Sequence, residues 1–409
     1  MKRWMLGLLW LASAAAPAQQ WLPPHDVVHD AIDAQPDVAA ARARLDAAQA
    51  RARALAAGPH EFQLEGARLR RDVDEPGLRQ RFVETELVLS RAFRLPGKAA
   101  LDRRIGSTGV RAAELRLDDA RHQAARRMLG DWMDWLRAAE HQRTAEAQLR
   151  LLDTERAGLA RQVALGAAAR KDLDLLDVDA AQARARALAA QAAVRSAREA
   201  MHSDFPGLPI PEVAPAVDPP LALPETPQAW IDRIIARSHE IGALQADAEQ
   251  ADARAARARA ERIADPTLGL RRLDERGGVE RVTGLVLSFP LGGRQRSANA
   301  QAESASAAAL HGDAEAMRRD ITREAVVTVT AAAALAEQWR AQQAALAASA
   351  AALQRVKRGW ELGELPVAEW LLVQRQHAQL ASTEADARAD AEQARLRVLV
   401  DSHELWHDE

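Results

Sequence analysis

The chain contains no cysteine among its 409 residues. That excludes disulfides, thiolate zinc sites, a cysteine nucleophile and a lipid anchor on an N-terminal cysteine. It has no excess of positive charge: 55 Lys and Arg stand against 58 Asp and Glu, a net −3, so no basic field points to nucleic acid. Aromatics are scarce, at 4%, although 48% of residues are hydrophobic. Alanine supplies much of that hydrophobic content. It is the best helix former and lets helices approach closely, so the composition predicts long helices on thin seams, not one thick core. Beyond the N-terminus there is no run of the roughly 20 apolar residues that a membrane helix needs. No phosphate-binding glycine loop, G-x-S-x-G or clustered metal-ligand spacing occurs.

What is present begins with "MKRWMLGLLWLASAAAPAQQ". Lys2 and Arg3 precede an apolar stretch from Trp4 to Leu11, and Ala16-Pro17-Ala18 has the form of a cleavage site. Residues 1–18 are predicted to be a secretory signal peptide, with a mature start at Gln19.

The rest of the chain reads as one plan written twice. "LVLS" occurs at Leu87–Ser90 and again at Leu285–Ser288. The corners "FRLPGK" and "FPLGGR" follow, with Gly97 in the first and Gly292 and Gly293 in the second. "LGAAARKDLDLL" at Leu165 matches "LGELPVAEWLLV" at Leu362, and Gly58-Pro59 upstream matches Asp265-Pro266. The repeats are assigned to 19–204 and 228–409. The Pro-rich stretch 205–227 joins them as an ordered or semi-rigid connector, because its prolines cannot continue a helix.

Each repeat predicts a helix (Asp37–Ala57; Glu240–Ile263) ended by a proline. Two strands come next (Phe62–Arg70 and Arg81–Phe93; Thr267–Leu273 and Val279–Phe289). A very long helix follows (Lys98–Val163; Arg294–Leu362), then a glycine turn and a last helix (Lys171–His202; Val367–Ser402). The long helices carry a seam, Ala113, Leu117, Ala120, Ala124, Met128, Trp132, Trp135 and Ala139, spaced in threes and fours as on a coiled-coil face.

The second strand of each repeat alternates. Thr85, Leu87 and Leu89, like Thr283, Leu285 and Leu287, share one face; Glu84, Glu86 and Ser90, like Val282, Gly284 and Ser288, share the other. Such strands suit an outer-membrane wall, and a small soluble sheet would look similar. Four strands cannot close a barrel, and open edges are not tolerated in lipid, so a membrane setting requires oligomerisation.

Signal peptide, duplication, the two strand-to-helix corners and the two glycine-led turns together resemble the TolC-type outer-membrane efflux proteins over essentially the whole mature chain. The tail "ARLRVLVDSHELW" and the turn "GELPVAEWLLVQRQ" resemble the heavy-metal, CzcC-like subgroup. The resemblance implies a mainly α fold with a small β part: a homotrimer with a helical α-barrel and a 12-stranded transmembrane β-barrel, four strands from each chain. It implies a passive duct in the outer membrane, reaching into the periplasm, that serves a periplasmic adaptor and an inner-membrane pump. No cofactor, enzymatic activity or nucleic-acid partner is implied. By position, Gly166, Ala167, Arg170, Gly363, Glu364 and Pro366 would form the adaptor-docking tips. Asp172, Leu175, Glu369, Trp370 and Leu372 would line the pore constriction, and Glu84 and Glu86 the barrel lumen. Where some relatives carry a second acid, this chain has Leu175 and Leu372, so an apolar gate of Trp370 and Leu372 is the alternative. Asp174, Asp177 and Asp179 add acid in the first repeat only.

His403-Glu404-Leu405-Trp406-His407 matches the zinc-protease string H-E-x-x-H. Two histidines four apart on a helix would share a face and could hold a metal at His403 and His407, and His25 and His29 form a similar pair. Only Asp408 and Glu409 follow the motif, and no compact catalytic domain is visible. A metalloprotease is therefore the remote alternative, and a soluble periplasmic coiled-coil adaptor or scaffold the nearer one.

Overall fold

The computed structural model describes residues 21–407; the predicted signal peptide lies outside them. The element order is α1 (His25–Asp33), α2 (Pro36–Ala57), β1 (Phe62–Glu75), β2 (Leu78–Ala92), α3 (Lys98–Ala164), α4 (Arg170–Asp204), α5 (Pro227–Arg237), α6 (His239–Ala260), β3 (Thr267–Glu275), β4 (Glu280–Ser288), α7 (Arg294–Glu361) and α8 (Val367–Asp401). The fold is mainly helical with one small sheet. α3 and α7 run for 67 and 68 residues, and α4 and α8 for 35 each. Two short helices, α1 and α5, precede α2 and α6 and were not expected. Each is marked off by a local signal. Thr226 caps α5 by accepting from the Ala229 N–H with Pro227 in the first turn, and Ser238 both ends α5 and caps α6 by accepting from Ile241.

The repeats differ in the sheet. β1 and β2 have 14 and 15 residues, β3 and β4 nine each. The longer first hairpin explains the spacing of the repeated landmarks. Gly58 and Asp265, before the hairpins, are 207 positions apart, whereas Leu87 and Leu285, after the turns, are 198 apart.

The chain divides into two compact units. One comprises Gln35–Ala124 and Thr226–Val327 and holds the sheet; the other comprises Ala125–Glu225 with 21–34 and 328–407. In the sheet unit the strands form one antiparallel sheet in the order β1-β2-β3-β4, so β1 and β4 are its edges. Its helices pack on alanine, as composition predicts: Ala243, Ala246, Ala251 and Ala255 of α6 are buried. At Gly106 of α3 a Cβ would come within 3.0 Å of Ala52 in α2, which shows how closely these backbones approach. In the helical unit the core is larger. Trp132, Trp135, Met128 and Leu136 of α3 are fully buried, and Trp132 donates its indole N–H to the Trp21 carbonyl at 3.2 Å. Of the predicted α3 seam, Ala120 is half-buried and the other seven residues are buried. The 205–227 connector packs Phe205, Leu208 and Val217 inside this unit, and Arg143 donates to the carbonyls of Ala214 and Pro215.

Where strands meet helices in the sheet unit, the two repeats are tied together by charge. Lys98, at the start of α3 and 1% exposed, donates to Asp265 at 2.7 Å and to the Ile263 carbonyl at 2.7 Å, just before β3. Asp265 also accepts from the Leu95 N–H and pairs with His60 at 3.0 Å. Arg94 donates to Leu55, Ala56 and Ala57, the last carbonyls of α2, and to Asp102, which Arg257 of α6 also reaches. Burial raises the pKa of Asp265, but hydrogen bonds from Lys98, the Leu95 N–H and His60 outweigh it and leave the carboxyl below its ordinary 3.8. Glu261 is likewise pushed up by burial and carried below its ordinary 4.5 by Arg257 and Lys98.

Removing one partner here leaves a buried charge without its counter-ion. Lys98→Ala should cost roughly 3–5 kcal/mol, read as lost thermal stability. The lowered carboxylates set the sign with pH. Their contribution is complete above the ordinary values, near pH 4, and is lost as pH falls through the lowered folded values. Stability measured downward from pH 5 should therefore fall steeply, and Asp265→Asn should flatten that limb. An unchanged acid limb in the variant would contradict the assignment.

Candidate functional site

The strand register fixes which side chains share a face of the sheet. Leu64, Leu89, Leu270 and Leu285 lie opposite one another across all four strands, with Phe62, Leu268 and Leu287 on the same face one row nearer the helices. They are exposed: Leu64 73%, Leu285 78% and Leu287 70%. The other face carries Glu65, Arg71, Glu84, Glu86, Arg271, Glu275 and Glu280. It is the crowded face, with Glu84 buried, held by Arg71 at 2.9 Å, and Glu86 held by Arg271 at 2.7 Å. The tight side thus holds the acids among apolar residues such as Val88, Leu273 and Val286, while leucines crowd the open side, which a sheet built for water would not expose. Glu84 and Glu86 fall on the acidic face as the alternation predicts.

At the strand-to-helix corners Gly97 has φ +88°, and a Cβ on Gly292 would lie 2.6 Å from the Arg262 carbonyl oxygen. Gly293, beside it, is open to solvent.

In the helical unit, α3 and α7 end in the same way. Gly166 and Gly363 have φ +71° and +75°. Ala167 N–H donates back to the Gln162 carbonyl and Gly166 N–H to Val163; Glu364 N–H donates to Gly359 and Gly363 N–H to Trp360. These pairs are a Schellman closure, which needs a left-handed residue at the glycine. The closures share a core in which Leu152, Leu159, Leu173, Leu176, Val367 and Trp370 pack together. Ala167, Glu364 and Pro366 are exposed at the turns, and Arg170 pairs with Asp174 at 3.0 Å. Leu165 and Leu362, directly before the two glycines, are 84% and 57% exposed. In the sequence this pair stands out as a repeat landmark, and two apolar residues directly before turn glycines are also the signal of an exposed tip.

Asp172 and Glu369 occupy the third position of α4 and α8, where a carboxylate is favoured by the positive end of the helix dipole. Leu175 and Leu372 are 46% and 49% exposed. Trp370 corrects the expected apolar gate: it is 0% exposed and stacks on Trp360 at 4.4 Å, so it fills the core behind the turn and lines no opening. The extra acids of the first repeat are paired as well, Asp177 with Arg156 and the buried Asp179 with Arg375 at 3.8 Å.

The zinc-protease reading is also corrected. α8 stops at Asp401, so His403–His407 is not helical. Glu404 N–H donates to Leu399 and His403 N–H to Val400, the same closure as at the tips, with His403 at φ +58° in the glycine position. The imidazoles stack at 4.1 Å and Trp406 is buried beside them. A zincin needs both histidines on one helical face.

No family model and no curated protein matches this sequence. Solved structures do match. CusC, whose crystal structures concern transmembrane channel formation, superposes with a TM-score of 0.76 at 16% identity, over 92% of this chain and 91% of its own. The Campylobacter jejuni CmeC outer membrane channel gives 0.72 at 14%, over 92% and 84%. The outer membrane protein VceC from Vibrio cholerae gives 0.72 at 18%, over 92% and 95%. The chain has the fold of the TolC-type outer-membrane channels.

At both tip glycines a Cβ would meet nothing within 4 Å, so only backbone conformation opposes a side chain. Gly363→Val should destabilise by about 1–2 kcal/mol, while Gly363→Asn, which tolerates the left-handed region, should cost less. Equal melting temperatures for the two variants would show that the turn does not need that conformation.

Proposed function

We propose that three copies of this chain form an outer-membrane channel that passively conducts substrate outward for an inner-membrane pump, reached through a periplasmic adaptor. The observation that carries the reading is the inverted sheet, with a leucine row outside, acids inside and two open edges at β1 and β4. Hydrocarbon accommodates the leucines, and pairing β4 of one copy with β1 of the next satisfies the edge backbone that lipid would otherwise strand. Three copies of four strands give the twelve expected from the resemblance. The exposed Leu165 and Leu362 beside the tip glycines support docking of an apolar adaptor surface there.

The inner face favours cations. Glu65, Glu75, Glu84, Glu86, Glu275 and Glu280 face it against Arg71 and Arg271 only. A low-dielectric wall focuses that negative potential into the lumen. This supports cationic cargo, heavy-metal ions included, as the substrate class.

Cell fractionation with heat-modifiable gel mobility tests the location. An outer-membrane trimer that dissociates on boiling is expected, and a protein found only in the soluble periplasm would end the proposal. Single-channel recording tests the lumen: Glu84→Gln with Glu86→Gln should lower the cation-over-anion permeability ratio, and an unaltered ratio would remove the two acids from the conduction path. Gly363→Val should abolish export in cells while the trimer still reaches the membrane; normal efflux would separate the tips from adaptor docking.

A further inference from the structure

The leucine-bearing face of the sheet changes character along the strands. Towards the helices it is apolar but for Arg91, whose guanidinium lies 4.8 Å over the Phe62 ring and donates to the His60 carbonyl. Beyond the four-leucine row, towards the hairpin turns, the same face carries Arg272 beside Leu87. Next comes a row of Arg68, Thr85, Asp274 and Arg281, and then Arg70, Arg81 and Arg79 with Asp72 and Asp74. Six arginines stand against three aspartates there. Asp72 pairs with Arg70 and Arg81, Asp74 with Arg79, and Asp274 with Arg272. Among the described residues Arg68 and Arg281 pair with no acid, and both are exposed. At this height the opposite face sets Glu84, Glu86, Glu275 and Glu280 against Arg71, so the excess of positive charge belongs to one side of the sheet.

Resting on the channel reading, we infer that this arginine cluster is a binding site for the phosphate headgroups of anionic lipids in the outer leaflet. Height supports that occupant. The Arg68 row is four residues beyond the Leu64 row, about 13 Å along a strand and about 10 Å of height at the usual tilt of a barrel strand. That is close to half of the roughly 25 Å apolar band of an outer-membrane barrel. Arginines at that level stand where headgroups begin. Polarity supports it too: the hairpin turns are the strand ends away from the helices, so a periplasmic helical part puts the cluster in the outer leaflet. Guanidinium offers paired N–H donors that match phosphate oxygens, and it loses little hydration on leaving bulk water. The aspartates hold their neighbouring arginines in place, and the two unpaired arginines, one on each edge strand, remain for the ligand. When β4 meets β1 of another copy, the edge strands bring Arg281 and Arg68 into neighbouring strands, so each subunit boundary would present one such site.

The test uses the full-length protein reconstituted in phosphatidylcholine bilayers, with spin-labelled phosphatidic acid and spin-labelled phosphatidylcholine as probes. Wild type should select the anionic lipid. Arg68→Gln and Arg281→Gln should each lower that selectivity about fivefold, the effect of one cation near an anionic surface, while insertion and conductance stay unchanged. Arg340→Gln, at an exposed position of α7 in the helical unit, should leave the selectivity unchanged. Wild type that inserts and conducts without lipid preference overturns this inference and leaves the channel reading standing. Wild type that does not insert overturns both. Selectivity abolished by millimolar inorganic phosphate would reassign the cluster to free anions and overturn the lipid assignment.

Discussion

A strand in contact with hydrocarbon has no water to satisfy its backbone, so every N–H and C=O along it must find a partner in another strand. On the proposed channel reading, that constraint organises this chain. The sheet presents leucines outward, yet it has only four strands and two unpaired edges. Neither property is tenable for one copy alone in a membrane, and exposed leucines beside open edges would invite aggregation in water. In the proposed channel, closing the wall with further copies resolves both at once. The duplication makes this economical, because each chain supplies two equivalent hairpins.

Such a wall has to be held at a fixed angle to the helices that follow it, and the charge network at the corners provides this. Asp265 receives Lys98, the Leu95 N–H and His60, which come from the opposite repeat. The corner of one repeat is thus built from the other, so neither hairpin can tilt alone. A buried ion pair is seldom a net source of stability, because desolvation offsets its attraction. Its value here is directional: hydrogen-bonded charges accept only a narrow range of geometry, whereas an alanine seam can slide.

Much of this was legible in the sequence because the signals are local. Alternation in Leu87–Ser90 and Leu285–Ser288 gives the strand faces directly, prolines mark helix ends, and Gly166 and Gly363 mark turns that need a positive φ. The parts that were not legible depend on partners distant in sequence. Charged Arg71–Glu75 looks like a turn, yet it extends β1 because Arg79 and Arg81 across the ladder pair with Asp74 and Asp72. Trp370 follows an acid in a tip sequence and looks exposed, but Trp360, ten residues earlier, takes its face. His403–His407 has helical spacing, and only the hydrogen bonds closing α8 show that the helix has already ended. The short helices α1 and α5 were missed because about ten residues carry too little periodicity to stand out, although the cap at Thr226-Pro227 was there to be read.

The difference between the repeats supports the same physical picture. In both hairpins the apolar rows of the outward face lie at matching heights, Phe62 and Leu64 with Leu89 in one and Leu268, Leu270, Leu285 and Leu287 in the other. The additional length of the first hairpin lies almost wholly beyond them and on that face is charged at Arg70, Asp72, Asp74, Arg79 and Arg81, with Val83 the one apolar residue. Had the extra residues fallen inside the leucine rows, the two hairpins would demand bilayers of different thickness. Placed at the turn end they leave the band uniform. In the proposed channel the hydrocarbon slab thus fixes what the repeats must share, and length is free to vary only where the strand has left it.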